Sequence, residues 1–253
     1  MKLRKRWRVM KRAMHMELRE HKSSFMVYVV LRALVILTMI LQIFNRNYEN
    51  VFLCALTLLL LIIPSFIQIN LKIELPTPLE IIILVFIFAA EILGEIESYY
   101  IIFPFWDTIL HTLNGFLMAA IGFALADILN ESKKVRFALS PVYLSIVAFC
   151  FSMTIGVIWE FFEYGMDRVF GLDMQKDTII NGYRDIGLID TMNDLLVNFA
   201  GAVVFSLIGY FYVKSRGKGK FAGGLIPRRK AKEADFLGQA EEEENDQEKL
   251  SIK

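Results

Sequence analysis

The chain has 253 residues, of which 55% are hydrophobic, and its charges nearly cancel at +1. Soluble domains are usually ~45–50% apolar; the excess here lies in continuous runs of the ~20-residue length that spans a bilayer as a helix. An ordinary soluble domain is thereby excluded, the unbroken runs argue against the alternation of a β-barrel, and no nucleic-acid partner is expected.

The first 24 residues carry nine Lys/Arg, with Leu3, Trp7, Met10, Met14 and Leu18 at helical spacing. They read as a basic cytoplasmic arm, either an amphipathic helix drawn to anionic lipid or ordinary positive-inside anchoring. This stretch is too long and too charged for a signal-peptide n-region, and no small-residue cleavage site follows the first apolar run, so that run reads as a retained span. Six spans follow, at roughly 25–44, 51–69, 79–98, 106–129, 141–165 and 190–213. The expected fold class is all-α: a polytopic membrane helix bundle of about six transmembrane helices within residues 25–213. Lys72, the group Lys133, Lys134 and Arg136, and the basic stretch after the last span enrich alternate loops in positive charge. That pattern places both termini in the cytoplasm. The 166–189 loop mixes Arg168, Lys176 and Arg184 with Asp167, Asp173, Asp177 and Asp185 and reads as external. Cys54 and Cys150, both inside apolar runs, read as small buried hydrophobes. Residues 214–253 form a charged tail ending in an acidic stretch and are expected to be disordered.

Successive spans run in opposite directions, and each of the last four carries an ionisable pair toward the same membrane face. Span three has Glu91 and Glu95, span four Asp107 and His111, span five Glu160 and Glu163, and span six Asp190 and Asp194. Spacings of three or four residues put each pair on one helix face. The same faces continue through Gly115, Ala119, Gly122 and Ala126, through Ser145, Ser152, Gly156 and Asp167, and through Asn198 and Gly201. Small residues let transmembrane helices approach closely, so these pairs are expected to point into one acidic cavity opening outward. Several carboxylates in a low-dielectric space need compensation. Protonation, Arg168 and Arg184, or a bound cation could supply it.

Hard oxygen ligands with one imidazole suit Mg²⁺, Mn²⁺, Fe²⁺ or Zn²⁺. Asp107, His111, Glu160 and Asp194 are the expected metal ligands, and Glu163 or Asp190 the general base of a metal-assisted reaction. No established metal motif such as HExxH is present. Interfacial carboxylates or an interhelical hydrogen bond such as His111 to Glu160 would explain any one pair.

Three motifs, "WDTILHTLNG", "GVIWEFFEY" and "DTMNDLLVNFAGA", carry a family resemblance. In order and spacing, residues 80–213 resemble the YjdF-type family of uncharacterised bacterial inner-membrane proteins. The family's Asp-x3-His helix corresponds to Asp107 and His111, its Trp-Glu-x2-Glu helix to Trp159, Glu160 and Glu163, and its Asp-Thr-x2-Asp helix to Asp190, Thr191 and Asp194. Thr108 stands where the family usually has Arg. The resemblance implies a multi-pass protein of the bacterial plasma membrane and supplies no activity. Three functions follow as expectations: a metal-dependent hydrolase or transferase on an amphiphilic substrate, a proton- or cation-coupled transporter, or a non-catalytic membrane scaffold. The lipid bilayer is the expected partner. Oligomeric state is left open.

Overall fold

The computed structural model describes residues 7–12, 16, 22–71, 73–130, 139–171, 174–176, 178–180, 183–215, 225–226, 228–229, 238–240 and 243. Its architecture is all-α. Among the described residues, five helical stretches are long and apolar enough to cross a membrane: Ser23–Phe44, Tyr48–Asn70, Trp106–Asp127, Pro141–Phe170 and Leu188–Lys214. Contacts group the chain into two compact units, Met1–Glu97 with Pro227–Lys253, and Ser98–Ile226.

The first unit contains helices α1 (Lys22–Phe44), α2 (Tyr48–Leu60), α3 (Ile63–Leu71) and α4 (Thr77–Phe88). Pro64 has no N–H to offer the carbonyl of Leu60, and the helix breaks into α2 and α3 there. Residues expected as a third uninterrupted span are helical but of two kinds. After α4 the chain widens into a π-helix, Ala89–Ile96, closed by the Glu97 N–H donating to the Ile92 carbonyl at 2.9 Å. Twelve residues of α-helix rise only about 18 Å, short of a ~30 Å hydrocarbon core. Helix nonetheless runs unbroken over Thr77–Ile96, across the third expected span. Tyr28, Leu31, Val35, Cys54, Leu61, Leu84 and Ile92 form this unit's core. Arg32 is explained locally, since it donates to the Tyr28 hydroxyl. Glu80 is buried and accepts from Gln68 Nε2 at 3.1 Å, while Gln68 Oε1 takes the Leu75 N–H at 2.9 Å. Gln68 thus ties α3 both to Leu75 and to the first turn of α4.

Of the basic arm, residues 7–12 are helical, with Trp7 exposed and Val9 buried against Ile69 and Ala240. Leu3, Met14 and Leu18 lie outside the described residues. In the tail, Arg228–Arg229 (β4) pairs antiparallel with Ile73–Glu74 (β1).

The second unit is built on three long helices, preceded by the short α5 (Tyr99–Ile102): α6 (Trp106–Asn130), α7 (Pro141–Phe170) and α8 (Leu188–Lys214). Ser140 starts α7 by accepting the Tyr143 N–H at 3.2 Å, with Pro141 at the first helical position, where a missing N–H costs nothing. A small antiparallel ribbon, β2 (Thr178–Ile180) and β3 (Tyr183–Asp185), lies between α7 and α8. Small residues set the packing. A Cβ on Gly115 would sit 2.0 Å from the Asn198 carbonyl oxygen, and one on Gly201 would sit 2.0 Å from that of Thr112. Backbones of α6 and α8 are therefore in direct contact, and only glycine fits at both crossings. Polar side chains tie the three helices together at the same level. Ser152 donates to the Gly115 carbonyl at 2.7 Å, and Asn114 Nδ2 donates to Asn198 Oδ1 at 3.2 Å. Phe116, Phe123 and Phe205 fill the space beyond, edge to face. Cys150, expected inside, is exposed on the outer face of α7, whereas Cys54 is buried as expected.

Candidate metal centre

Asp107 lies in the first turn of α6 and His111 one turn later, so both side chains leave the same face. Asp190 and Asp194 take the corresponding positions on α8, which runs parallel to α6 along the glycine contacts. The antiparallel α7 brings Glu160 and Glu163 to the same end. His111, Glu160, Glu163 and Asp194 are all buried.

The imidazole is the hub. His111 Nε2 is 3.5 Å from Asp107 Oδ1 and 3.9 Å from Asp194 Oδ2, and Nδ1 is 4.0 Å from Glu160 Oε1. One ligand atom each from Asp107, His111 and Asp194 lies within 4.8 Å of the others. Ligand atoms on opposite sides of a cation stand at most twice the bond length apart, about 4.2 Å for Mg²⁺ or Zn²⁺ and about 5 Å for Ca²⁺. The donor set thus fits a hard divalent ion, with a contraction of about half an ångström for the smaller ones. Glu160 faces the other ring nitrogen. There it stands where a carboxylate orients a ligating histidine and fixes its tautomer.

Three oxygens of this group, Glu160 Oε2, Glu163 Oε2 and Asp194 Oδ2, are buried with no hydrogen-bond partner among the described residues. A buried carboxylate oxygen without a proton, water or cation is costly. The other Glu163 oxygen accepts from Trp159 Nε1 at 2.9 Å. Trp159→Phe would remove that donor and is expected to lower stability by about 1–2 kcal/mol, read as thermal unfolding in detergent.

Of the two arginines expected as compensating cations, only the Arg168 side chain is described. Arg168 stacks on the Tyr164 ring at 5.2 Å, and the Arg184 side chain lies outside the described residues. Lys176 instead reaches in from the loop, its Nζ 2.5 Å from Asp107 Oδ2 and 5.4 Å from the Tyr100 ring centre. Burial alone would pull its ammonium toward neutrality. The hydrogen bond to Asp107 and the charges of Asp107, Asp190 and Asp194 outweigh that and hold its pKa above the ordinary lysine value. Asp190 Oδ2 accepts the Lys176 backbone N–H at 3.1 Å, and Thr191 Oγ1 accepts from Gln175 Nε2 at 2.6 Å. Neither contact was legible from spacing. Just before and at the start of α6, Tyr99, Phe103 and Trp106 cluster with ring centres 4.7–6.3 Å apart. Glu91 and Glu95, the fourth expected pair, belong to the π-helix of the first unit.

A family model for predicted membrane proteins, DUF2238, matches residues 26–215. An uncharacterized protein of Thermotoga maritima is 26% identical over 138 residues, 54% of this chain and 64% of the relative. The chain thus spans just under two thirds of that relative's length. No solved structure matches. All of the site described above falls inside the matched region, and the chain belongs to the DUF2238 family of predicted membrane proteins.

Proposed function

We propose that this is a multi-pass protein of the bacterial plasma membrane that binds one divalent cation through Asp107, His111 and Asp194 and acts as a hydrolase or transferase on an amphiphilic substrate. The motif likeness to the YjdF-type family supports the location. One observation carries the chemistry: three ligand atoms from two helices within 4.8 Å of one another, beside buried carboxylate oxygens with no hydrogen-bond partner among the described residues. Acidic clusters without such oxygens are common and mean little. Here the burial makes a cation or protons necessary.

When bound, such an ion would polarise a phosphoryl or acyl oxygen and favour ionisation of water. The chain's own residues divide the remaining work. Glu160 orients His111 through Nδ1. Glu163, steadied by Trp159 on one oxygen, keeps the other free to take a proton as general base. Asp190 anchors the backbone at Lys176. Deeper in the three-helix unit the buried side chains are mostly apolar, including Ala119, Phe123, Ala148 and Phe205, with Asn198, Ser152 and Ser206 the buried polar ones among the described residues. That favours a site entered and left from one end over a transport path through the unit.

The test is turnover in vesicles of bacterial lipid extract carrying the purified protein and Mn²⁺, read as released inorganic phosphate and free fatty acid. Activity is expected to fall at least ~100-fold with chelator and in His111→Ala. An undiminished rate in both would reject the enzyme reading, and cation flux without turnover would favour a transporter.

A further inference from the structure

Lys176 is held too deliberately to be an ordinary surface lysine. Its backbone is fixed from both flanking helices. Asp167, near the end of α7, accepts the N–H groups of Met174 and Gln175 at 2.7 and 2.9 Å. Asp190, at the start of α8, accepts the N–H of Lys176 itself at 3.1 Å. Gln175 adds a side-chain bond to Thr191 at 2.6 Å. So anchored, the loop delivers the lysine ammonium across to the third helix, onto Asp107. Asp107 is also one of the three residues whose ligand atoms converge. Its Oδ2 holds the ammonium while Oδ1 faces His111 Nε2.

One carboxylate cannot serve an ammonium and a divalent ion at close range without repulsion between the two cations. At an effective dielectric of ~20, unit charges 4 Å apart interact by several times thermal energy, and a divalent ion doubles that. Removing the lysine charge also removes the chain's own competitor for Asp107. The second observation, independent of the acidic cluster itself, is one oxygen on each of two side chains more than nine-tenths buried beside it, Glu160 Oε2 and Asp194 Oδ2, with no hydrogen-bond partner among the described residues. The lysine satisfies Asp107 but leaves these two oxygens open.

We infer that Lys176 is a tethered monovalent occupant of the metal centre: it holds Asp107 in the metal-free protein, yields it to an incoming divalent ion, and thereby sets the affinity of the site. The inference rests on the metal reading above and adds the residue that tunes it. It also couples the loop to the metal, because the ammonium must leave Asp107 when the ion enters.

Mn²⁺ titration of the full chain in detergent, for the wild type, Lys176→Met and Lys176→Arg, tests it. Lys176→Met keeps the apolar stem without the charge and is expected to bind Mn²⁺ at least ~10-fold more tightly. Lys176→Arg keeps the charge and is expected to stay within about threefold of the wild type. A second measurement needs no variant: acylation of the Lys176 amine, read by mass spectrometry, is expected to rise severalfold when Mn²⁺ is added. Equal or weaker Mn²⁺ binding by Lys176→Met, or amine reactivity unchanged by a bound ion, overturns the inference while leaving the metal centre standing. Absence of Mn²⁺ binding in all three proteins overturns the metal reading and this inference with it.

Discussion

Gly201→Val is expected to unfold the second unit. The first added carbon would lie 2.0 Å from the Thr112 carbonyl oxygen, with Phe116 N at 2.9 Å, and both are backbone atoms that no rotamer change can move aside. The helices would have to part. Parting them also breaks the reciprocal contact of Gly115 with Asn198 and stretches the Asn114–Asn198 hydrogen bond. Overpacking a well-filled core costs about 1–3 kcal/mol, occasionally more, and here the clash is with main chain. A loss of at least ~3 kcal/mol is expected. Denaturant titration of detergent-solubilised protein reads it. Gly165→Val is the control, since a Cβ there meets nothing within 4 Å. If Gly201→Val melts with the wild type, the α6–α8 contact described above is not the one the protein uses.

Divalent ions are expected to stabilise the same unit. A ligand that binds only the folded state at 100 times its Kd adds about 2.7 kcal/mol. For a chain of this size each kcal/mol is worth ~2–4 °C, so Mn²⁺ or Zn²⁺ should raise the melting temperature by roughly 5–10 °C. The physical source is the set of buried oxygens on Glu160, Glu163 and Asp194, which have no hydrogen-bond partner among the described residues. Asp107→Ala/His111→Ala, lacking two of the three converging residues, should show no shift at equal ion concentration. A shift of the same size in that variant would move the binding elsewhere.

The membrane class and the inward faces were readable because both rest on local periodicity. Ala119, Ser152, Asn198 and Gly201, picked out by helical spacing, are all buried between the three helices. Geometry also brings His111 within 4 Å of carboxylates on α6, α7 and α8, an arrangement that antiparallel alternation of the spans implies. Other features left no local trace. In the third expected span Glu91 and Glu95 lie in a π-helix, and their spacing does not betray it, because residues four apart share a face at either pitch. Apolar residues all round, as in the preceding Ile81–Phe88, hide such a change of pitch. Lys176 was counted only as one charge in a loop that also holds Asp173 and Asp177. Its partner Asp107 is 69 residues away in the chain, and nothing in spacing distinguishes it from Arg168, which stacks on Tyr164 instead. Cys150 was misplaced for a related reason: in a membrane helix an apolar run faces lipid as readily as it faces the core.

The central claim is that Asp107, His111 and Asp194 together hold a divalent ion. Elemental analysis of the protein purified in detergent, after incubation with Mn²⁺ or Zn²⁺ and removal of free ion, tests it most directly beside the Asp107→Ala/His111→Ala variant. One ion per chain in the wild type, lost in a variant that remains folded, is the expected result. Equal metal content in the two proteins, or none above the detergent blank in either, would contradict the account.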